Sequence, residues 1–171
     1  DIPFLRYIYD PRTTGTPEGV PAPFLAESWE LSEDGNTFTM VMREGATFVD
    51  GEPVDAAAVV ANLDRMINDP NSTVAYVLAP IIESSEAVDP LTVKLNLKGG
   101  GGALPTILAS RPGMMVSPKA LADPEVLVTQ PIGAGAFELV SATPGSRYAS
   151  ERRDDYWDKD AYKFAKLDYL V

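Results

Sequence analysis

The side chains that could carry out chemistry are mostly acidic and are concentrated near the C-terminal end of the chain. Asp154, Asp155, Asp158 and Asp160 lie within one short segment, and paired carboxylates can bind Ca²⁺ or act as general acid and base. The segment lacks the glycine and the terminal glutamate of an EF-hand loop. We therefore favour a solvated acidic turn, and an enzyme that uses Asp154, Asp155 or Asp158 is the minor alternative.

The residue types that are missing exclude most other catalytic chemistry. The chain of 171 residues has no cysteine and no histidine. It therefore has no thiolate nucleophile, no disulfide, no sulfur-ligated metal, no serine–histidine–aspartate triad and no imidazole ligand. We predict that the protein is not an enzyme, and we expect neither a metal ion nor a cofactor.

Two glycine-rich segments resemble phosphate-binding loops only superficially. Residues 99–102 are four consecutive glycines between a predicted strand and a predicted helix, but no Lys-Ser or Lys-Thr follows them. We interpret this segment as a flexible or engineered connection. Residues 133–135 (GAG) lack the third glycine of a dinucleotide-binding loop and precede a strand instead of a helix.

The charge balance and the hydropathy narrow the classes of partner. The chain has 25 acidic and 14 basic residues, which gives a net charge of −11. Nucleic-acid binding depends on neutralising phosphates with lysine and arginine, so no nucleic-acid partner is expected. The longest apolar stretch, residues 75–82, is far shorter than the ~20 residues that span a membrane. No signal-peptide pattern opens the sequence.

Apolar periodicity predicts a fold that mixes α-helices and β-strands. A hairpin is predicted over residues 28–43, because Phe38, Met40 and Met42 alternate along its second strand and Asp34-Gly35 suits the turn. Residues 11–23, rich in proline, are predicted to be a loop, and residues 1–10 a helix end or a buried strand. The other predicted elements are a helix with Asp55 as its N-cap that ends near Asn68, a strand at 91–98, a short helix at 103–110, a short buried strand at 113–116, a hairpin at 136–153 and a strand at 167–171.

Several motifs, in a fixed order, resemble those of the family 5 extracellular solute-binding proteins. They are residues 23–30 (PFLAESWE), 32–39 (SEDGNTFT), 43–54 (REGATFVDGEPV), 131–140 (PIGAGAFELV) and the ER…DYW of 151–157. Together they span residues 23–157. The chain departs from the family pattern at Val49, where histidine is usual, and at Ala134 and Ala136, where threonine and proline are usual.

The resemblance implies a fold and a function. It implies a type II periplasmic-binding-protein-like lobe in the α/β class, with a mixed sheet, flanking helices and hairpins. Residues 1–171 would then be a single domain, most of lobe I of a two-lobed receptor, and lobe II would be absent. The receptor would capture peptides or similar small solutes between its lobes and deliver them to the membrane permease of an ABC importer. It would act in the periplasm or as a cell-surface lipoprotein.

The resemblance also suggests which residues face the ligand. Residues 72–76 are similar to a family segment that carries a ligand-contacting aromatic side chain, and this similarity points to Val74 or Tyr76. Loop positions add Arg111, before a Pro-Gly pair, and Phe137, after the glycine turn. Tyr7, in the aromatic first segment, completes the set. For each of the five, a packing role is the competing interpretation.

The same architecture sets expectations for the chain on its own. With one lobe only, we expect weak ligand binding, and we expect the uncovered apolar surface of the half-cleft to favour a homodimer. The alternatives are a stand-alone interaction or structural module derived from that lobe, or an engineered fragment without binding activity. The identity of the ligand, whether peptide, nickel chelate, sugar or another solute, stays open.

Overall fold

In the computed structural model, which describes residues 2–171, helices and strands are joined mainly by short connections. The helices are α1 (Ile2–Ile8), α2 (Ala56–Asn68), α3 (Ala75–Leu78), α4 (Leu104–Ile107), α5 (Pro118–Leu121) and α6 (Pro124–Thr129). The strands are β1 (Thr13–Gly15), β2 (Pro21–Pro23), β3 (Ala26–Leu31), β4 (Thr37–Met42), β5 (Ile82–Ala87), β6 (Thr92–Leu97), β7 (Phe137–Thr143), β8 (Arg147–Arg152) and β9 (Lys166–Leu170).

The first core lies under a four-stranded sheet with the order β3-β4-β6-β5. Phe38 and Met40 on β4 stand opposite Leu95 and Val93 on β6, and all four side chains are buried. The alternation that predicted the hairpin and the strand at 91–98 is thus confirmed, because one face of the sheet packs against α2 while the other meets solvent.

Helix α2 covers this sheet with the face that its sequence predicts. The carboxylate of Asp55 accepts a hydrogen bond from the Ala58 N–H at 2.8 Å and caps the first turn. Ala56, Val59 and Leu63 are fully buried and belong to the first core. The predicted helix, its N-cap and its end near Asn68 are confirmed.

One polar side chain inside this buried face, Asn62, binds the backbone of Val116. Asn62 is buried on α2, and its amide donates to the carbonyls of Ala58 and Val116 at 2.9 and 2.7 Å. Its amide oxygen accepts from the Val116 N–H at 3.0 Å. Val116 lies outside the strands and forms only an isolated bridge with Gly133. Asn62 therefore provides hydrogen-bond partners for both the N–H and the carbonyl of Val116.

The second core forms between α1 and the sheet β7-β8-β9. The backbone of residues 133–135 passes very close to the end of α1: a Cβ on Gly133 would lie 2.0 Å from the Ile8 carbonyl oxygen, and one on Gly135 would lie 2.3 Å from that of Tyr7. The two glycines therefore serve close packing, and the Gly135 N–H donates to the Ile8 carbonyl at 2.9 Å. The predicted hairpin at 136–153 and the final strand are confirmed.

The fold class is confirmed as a mixture of α and β structure. The predicted mixed sheet differs in one respect, since every strand pair within residues 2–171 is antiparallel. The adjacent pairs β3-β4, β5-β6 and β7-β8 are joined by short turns, which favour antiparallel pairing. The first segment is a helix, which was one of its two predicted states.

Three local predictions were wrong or incomplete. The predicted loop at 11–23 contains the two paired strands β1 and β2, because Thr13 is buried there and its backbone groups need partners. The predicted strand at 113–116 is a 3₁₀ turn (Arg111–Gly113) followed by isolated bridges. Strand β5 was missed, because Ile82 is its one fully buried apolar residue.

The four glycines at 99–102 adopt a defined turn. Residues Gly101–Ala103 form a 3₁₀ helix, and Gly101 is buried. A Cβ on Gly101 would lie 2.4 Å from Leu97 Cδ1 and 2.6 Å from Leu31 Cδ1. The segment is therefore packed against the rim of the first core, which differs from the flexible connection that the sequence suggested.

We expect Asn62→Ala to lower the free energy of unfolding by about 2–3 kcal/mol, because it leaves the two backbone groups of Val116 without their partner. Urea unfolding followed by circular dichroism measures the loss. Asn68→Ala, at the exposed end of the same helix, is the matched control and should change stability by less than about 0.5 kcal/mol. Equal losses in the two variants would contradict the role of Asn62.

Candidate functional site

A groove opens beside the C-terminal end of α2, and we call it the Arg111 groove. It consists of two adjoining cavities of about 230 and 250 Å³ that share Thr73, Val74 and Arg111 as lining residues. Its walls come from α2, the loop and helix that follow it, and the 3₁₀ turn at Arg111–Gly113. Segments far apart in the sequence therefore meet at one concave surface.

Local hydrogen bonds hold the loop between α2 and α3 in place. The Ser72 hydroxyl donates to the Met66 carbonyl at 2.5 Å, and the Asp69 carboxylate accepts from the Asn71 N–H at 2.8 Å. Across the groove, Arg111 Nη2 donates to Thr73 Oγ1 at 3.3 Å. The loop is thus fixed at its start by α2 and at its far side by Arg111.

Two arginines give the groove a positive lining. Arg65 Nε lies 3.8 Å from a carboxylate oxygen of Asp69, one helical turn along the chain. Arg111 is exposed, and no carboxylate within residues 2–171 forms an ion pair with it. An exposed guanidinium without an acidic neighbour can bind a carboxylate of a ligand through two parallel hydrogen bonds.

The rest of the lining is neutral and largely apolar. Burial raises the pKa of Tyr9 to about 12, although Arg65 acts in the opposite direction, so its phenol is neutral near pH 7. Tyr76 is 79% exposed and lies with Val77 and Ile107 along the second cavity. An exposed tyrosine beside a cation offers a stacking surface and a polar edge to the same ligand.

The structure brings together three of the five residues that the sequence suggested as ligand-facing. Val74, Tyr76 and Arg111 line the Arg111 groove. Tyr7 and Phe137 lie elsewhere, in an aromatic cluster where their ring centroids are 5.8 Å apart. Phe137 is fully buried, and both residues pack between α1 and the second sheet.

Arg65 and Tyr9 also line the groove and were not predicted, while Thr73 was included only as a member of residues 72–76. Arg65 lies on the polar face of α2, where a charged residue is ordinarily solvated. Its ion pair with Asp69, four residues along the chain, is typical of an exposed helix surface. Only the folded structure shows that Arg65 lies beside the loop that follows α2 and therefore lines the groove.

Within the acidic segment at residues 154–160, Asp155 forms an ion pair with Arg153. The Asp155 carboxylate accepts two hydrogen bonds of 3.0 Å from Arg153, and this bonding lowers the pKa of Asp155. No group of three or more acidic side chains suited to a metal ion occurs in the described part of the chain. This arrangement matches a structural ion pair at the edge of the second core.

A buried carboxylate also lies between the two cores. Asp10 is 1% exposed, and its Oδ2 accepts hydrogen bonds from the Tyr156 hydroxyl at 2.7 Å and from Trp157 Nε1 at 3.2 Å. Burial raises the pKa of Asp10 to about 7, against the lowering effect of these bonds and of Arg153. Asp10 lines neither cavity of the Arg111 groove, and its hydrogen bonds join packed elements.

Comparison with known proteins identifies the family. A family model described as bacterial extracellular solute-binding proteins, family 5 Middle, matches residues 20–171. The chain therefore belongs to this family of solute-binding proteins. The motifs at residues 25–54 and 131–157 lie inside the matched region, and the resemblance drawn from them is confirmed.

Individual relatives agree with this assignment. The chain is 37% identical to the glutathione-binding protein GsiB of Salmonella paratyphi A over 144 residues, which are 84% of this chain and 28% of that protein. Among solved structures, it is similar to NikA from Brucella suis in complex with Fe(III)-EDTA, with a TM-score of 0.83 and 33% identity over 97% of this chain and 34% of that one.

A further solved relative carries a different ligand. The solute-binding protein AgaA of A. tumefaciens R10, in complex with agropinic acid, matches with a TM-score of 0.86 and 30% identity over 96% of this chain and 33% of that one. The chain thus spans about a third of the length of these relatives. Within residues 2–171, no helix is long and apolar enough to cross a membrane.

We expect the stability of the protein to fall as the pH rises from 5 to 8, relative to the Asp10→Asn variant. The folded state holds the Asp10 proton up to about pH 7, whereas the unfolded chain loses it near pH 4. Because the folded state binds more protons in this window, the contribution of Asp10 is greatest at low pH and is lost as the pH passes the folded pKa.

Urea titrations at pH 5 and pH 8 measure this effect. From pH 5 to pH 8, the free energy of unfolding of Asp10→Asn should rise by about 2 kcal/mol relative to that of the wild type. Asn68→Ala, an exposed substitution that removes no titrating group, is the control and should show a constant difference. A constant difference for Asp10→Asn as well would show that Asp10 has an ordinary pKa.

Proposed function

We propose that the chain forms part of the substrate-binding component of an ABC importer, and that the Arg111 groove provides one side of its solute site. The observation that carries the proposal is the exposed Arg111, without an acidic partner in residues 2–171, beside the exposed ring of Tyr76. In a family of solute-binding proteins, this cation and stacking surface are the features expected of a contact with a small polar solute.

The named ligands of the relatives support an acidic or peptide-like solute. GsiB is named for glutathione, a peptide with two carboxylates, while NikA and AgaA were crystallised with Fe(III)-EDTA and agropinic acid. Each of these ligands carries carboxylates, and the Arg111 groove offers a guanidinium that can receive one. We therefore place carboxylate-bearing peptides and small acids first among the candidate solutes.

The remaining features of the proposal follow from the family. We infer that residues 1–171 are most of one lobe of a two-lobed receptor, that the receptor acts outside the cytoplasm, and that it passes its solute to a membrane permease. We also infer that the protein is not an enzyme. The supporting observations are the absence of cysteine and histidine and the solute-binding names of the relatives.

We expect Arg111→Ala to weaken solute binding by the full-length protein about tenfold or more, because a charge-assisted hydrogen bond to a carboxylate is lost. Isothermal titration against glutathione, dipeptides, oligopeptides and metal–EDTA chelates first identifies the bound solute. The same titration then compares the variant with the wild type.

Arg147→Ala is the control for loss of one positive charge. Arg147 pairs with Asp168 on the exposed surface of β8 and β9, so its removal should leave the affinity unchanged. Binding of every solute with the same affinity in Arg111→Ala would refute the assignment of the groove.

We expect the isolated chain to self-associate through its uncovered cleft surface, as the family resemblance suggested, and we infer that the exposed apolar side of the groove is the contact. Tyr76→Glu should lower the average mass at high protein concentration in sedimentation equilibrium, because it places a charge on the apolar contact surface. Val88→Glu, at another exposed apolar residue outside the groove, is the control. A monomer at all concentrations would refute the homodimer.

A further inference from the structure

Arg12 is a buried arginine without a counter-ion. It is 0% exposed, and its Nη1 and Nη2 donate to the carbonyls of Pro112 at 3.0 Å and Val59 at 3.5 Å. Its Nε has no hydrogen-bond partner. No acidic side chain in the described range 2–171 forms an ion pair with it.

This arrangement is costly for the fold. Burial lowers the pKa of Arg12 to about 9, so the guanidinium still carries its charge near pH 7. An ion removed from water without a paired charge is strongly destabilising, and two carbonyl dipoles replace only part of its hydration. The fold therefore keeps a positive charge at a place where residues 2–171 do not neutralise it.

The acidic residue nearest in sequence serves another purpose. Asp10 accepts hydrogen bonds from Tyr156 and Trp157, and the charges that act on its pKa are those of Arg153 and Asp158. Asp10 therefore does not provide the missing counter-ion, although it lies only two residues before Arg12.

The charge of Arg12 lies directly behind the wall of the Arg111 groove. Pro112, whose carbonyl accepts the bond from Arg12, lines the groove next to Arg111. The backbone N–H of Arg12 also donates to the Gly113 carbonyl at 3.0 Å. The Thr13 hydroxyl donates to the Pro105 carbonyl at 2.6 Å, so residues 12 and 13 are bonded both to the turn at Arg111–Gly113 and to helix α4, which precedes it.

We propose that Arg12 is a specificity-determining residue, whose buried and unpaired guanidinium makes the Arg111 groove prefer a ligand group that carries a carboxylate. The proposal rests on the proposed function, in which this groove contacts the solute. Arg111 is exposed, so water and salt screen its charge, whereas the charge of Arg12 acts through the protein interior and is screened much less. A bound carboxylate would then act as the counter-ion of Arg12.

The test uses two small probes that differ in charge, so that it does not depend on the natural solute. They are N-acetylglycine, which carries a carboxylate near pH 7, and its neutral amide, N-acetylglycinamide. Each is titrated into the full-length protein, and the methyl signals of Met66 and Met114, which line the groove, are followed by NMR. Met66→Leu and Met114→Leu assign the two signals.

In the wild type we expect the carboxylate probe to bind on the order of fivefold more tightly than the amide. Arg12→Lys, which keeps the charge, should retain most of this ratio. Arg12→Met, which keeps the length and apolar stem, should lower the ratio to about half, the remainder being due to Arg111. The variant should unfold at the same or a higher temperature, because it removes a buried unpaired charge.

A ratio in Arg12→Met equal to that of the wild type would refute the proposal, and so would a wild type that does not distinguish the probes. If Arg12→Met does not fold, Arg111→Ala in 0.5 M NaCl provides the test, since part of the preference should survive there. If Arg111→Ala loses the preference for the carboxylate probe completely, the whole effect comes from Arg111 and the proposal is refuted. Failure of the proposed function itself would appear separately, as unchanged solute affinity in Arg111→Ala.

Discussion

The guanidinium of Arg153 is the interaction on which the arrangement of the two cores depends. It is 7% exposed, and it donates to the carbonyls of Thr47 at 3.1 Å, Phe48 at 3.0 Å and Gly135 at 3.3 Å. Asp155 balances its charge through two further hydrogen bonds. Because Phe48 belongs to the first core and Gly135 borders the second, one side chain connects both, and its loss would leave Asp155 and several carbonyls unpaired.

The segment that carries Asp10 and Arg12 runs between the same two cores and contrasts with Arg153. Asp10 receives bonds from the second core through Tyr156, and its backbone carbonyl accepts from the Met115 N–H at 3.1 Å. Arg12 holds the turn at Pro112. The wall of the groove is therefore hydrogen-bonded to the junction between the cores, next to the point from which Arg111 projects. Such a fixed surface limits the entropy lost when a solute binds.

Periodic elements could be predicted from the sequence, and elements defined by distant contacts could not. Helix α2 and strands β4 and β6 each bury one regular face, so the spacing of the apolar residues within each element predicts it. Strand β5 buries mainly Ile82 and exists because β6 provides a partner for its backbone. In the groove, Val74, Tyr76 and Arg111 came from family resemblance and loop positions, while the roles of Arg65 and Arg12 depend on what lies beside them after folding.

The dimensions of the groove constrain how the site works. Each of its two adjoining cavities, of about 230 and 250 Å³, is by itself smaller than the 300–1,000 Å³ that usually enclose a small-molecule ligand, and together they reach only the lower half of that range. Tyr76, 79% exposed, presents most of its ring to solvent with no opposing surface in residues 2–171. A solute the size of a tripeptide would therefore be covered on one side only by this part of the protein. If the groove is the solute site that we propose, high affinity would require a second surface that covers Tyr76 and excludes water from the contact between Arg111 and a solute carboxylate. This contact strengthens as the local dielectric falls.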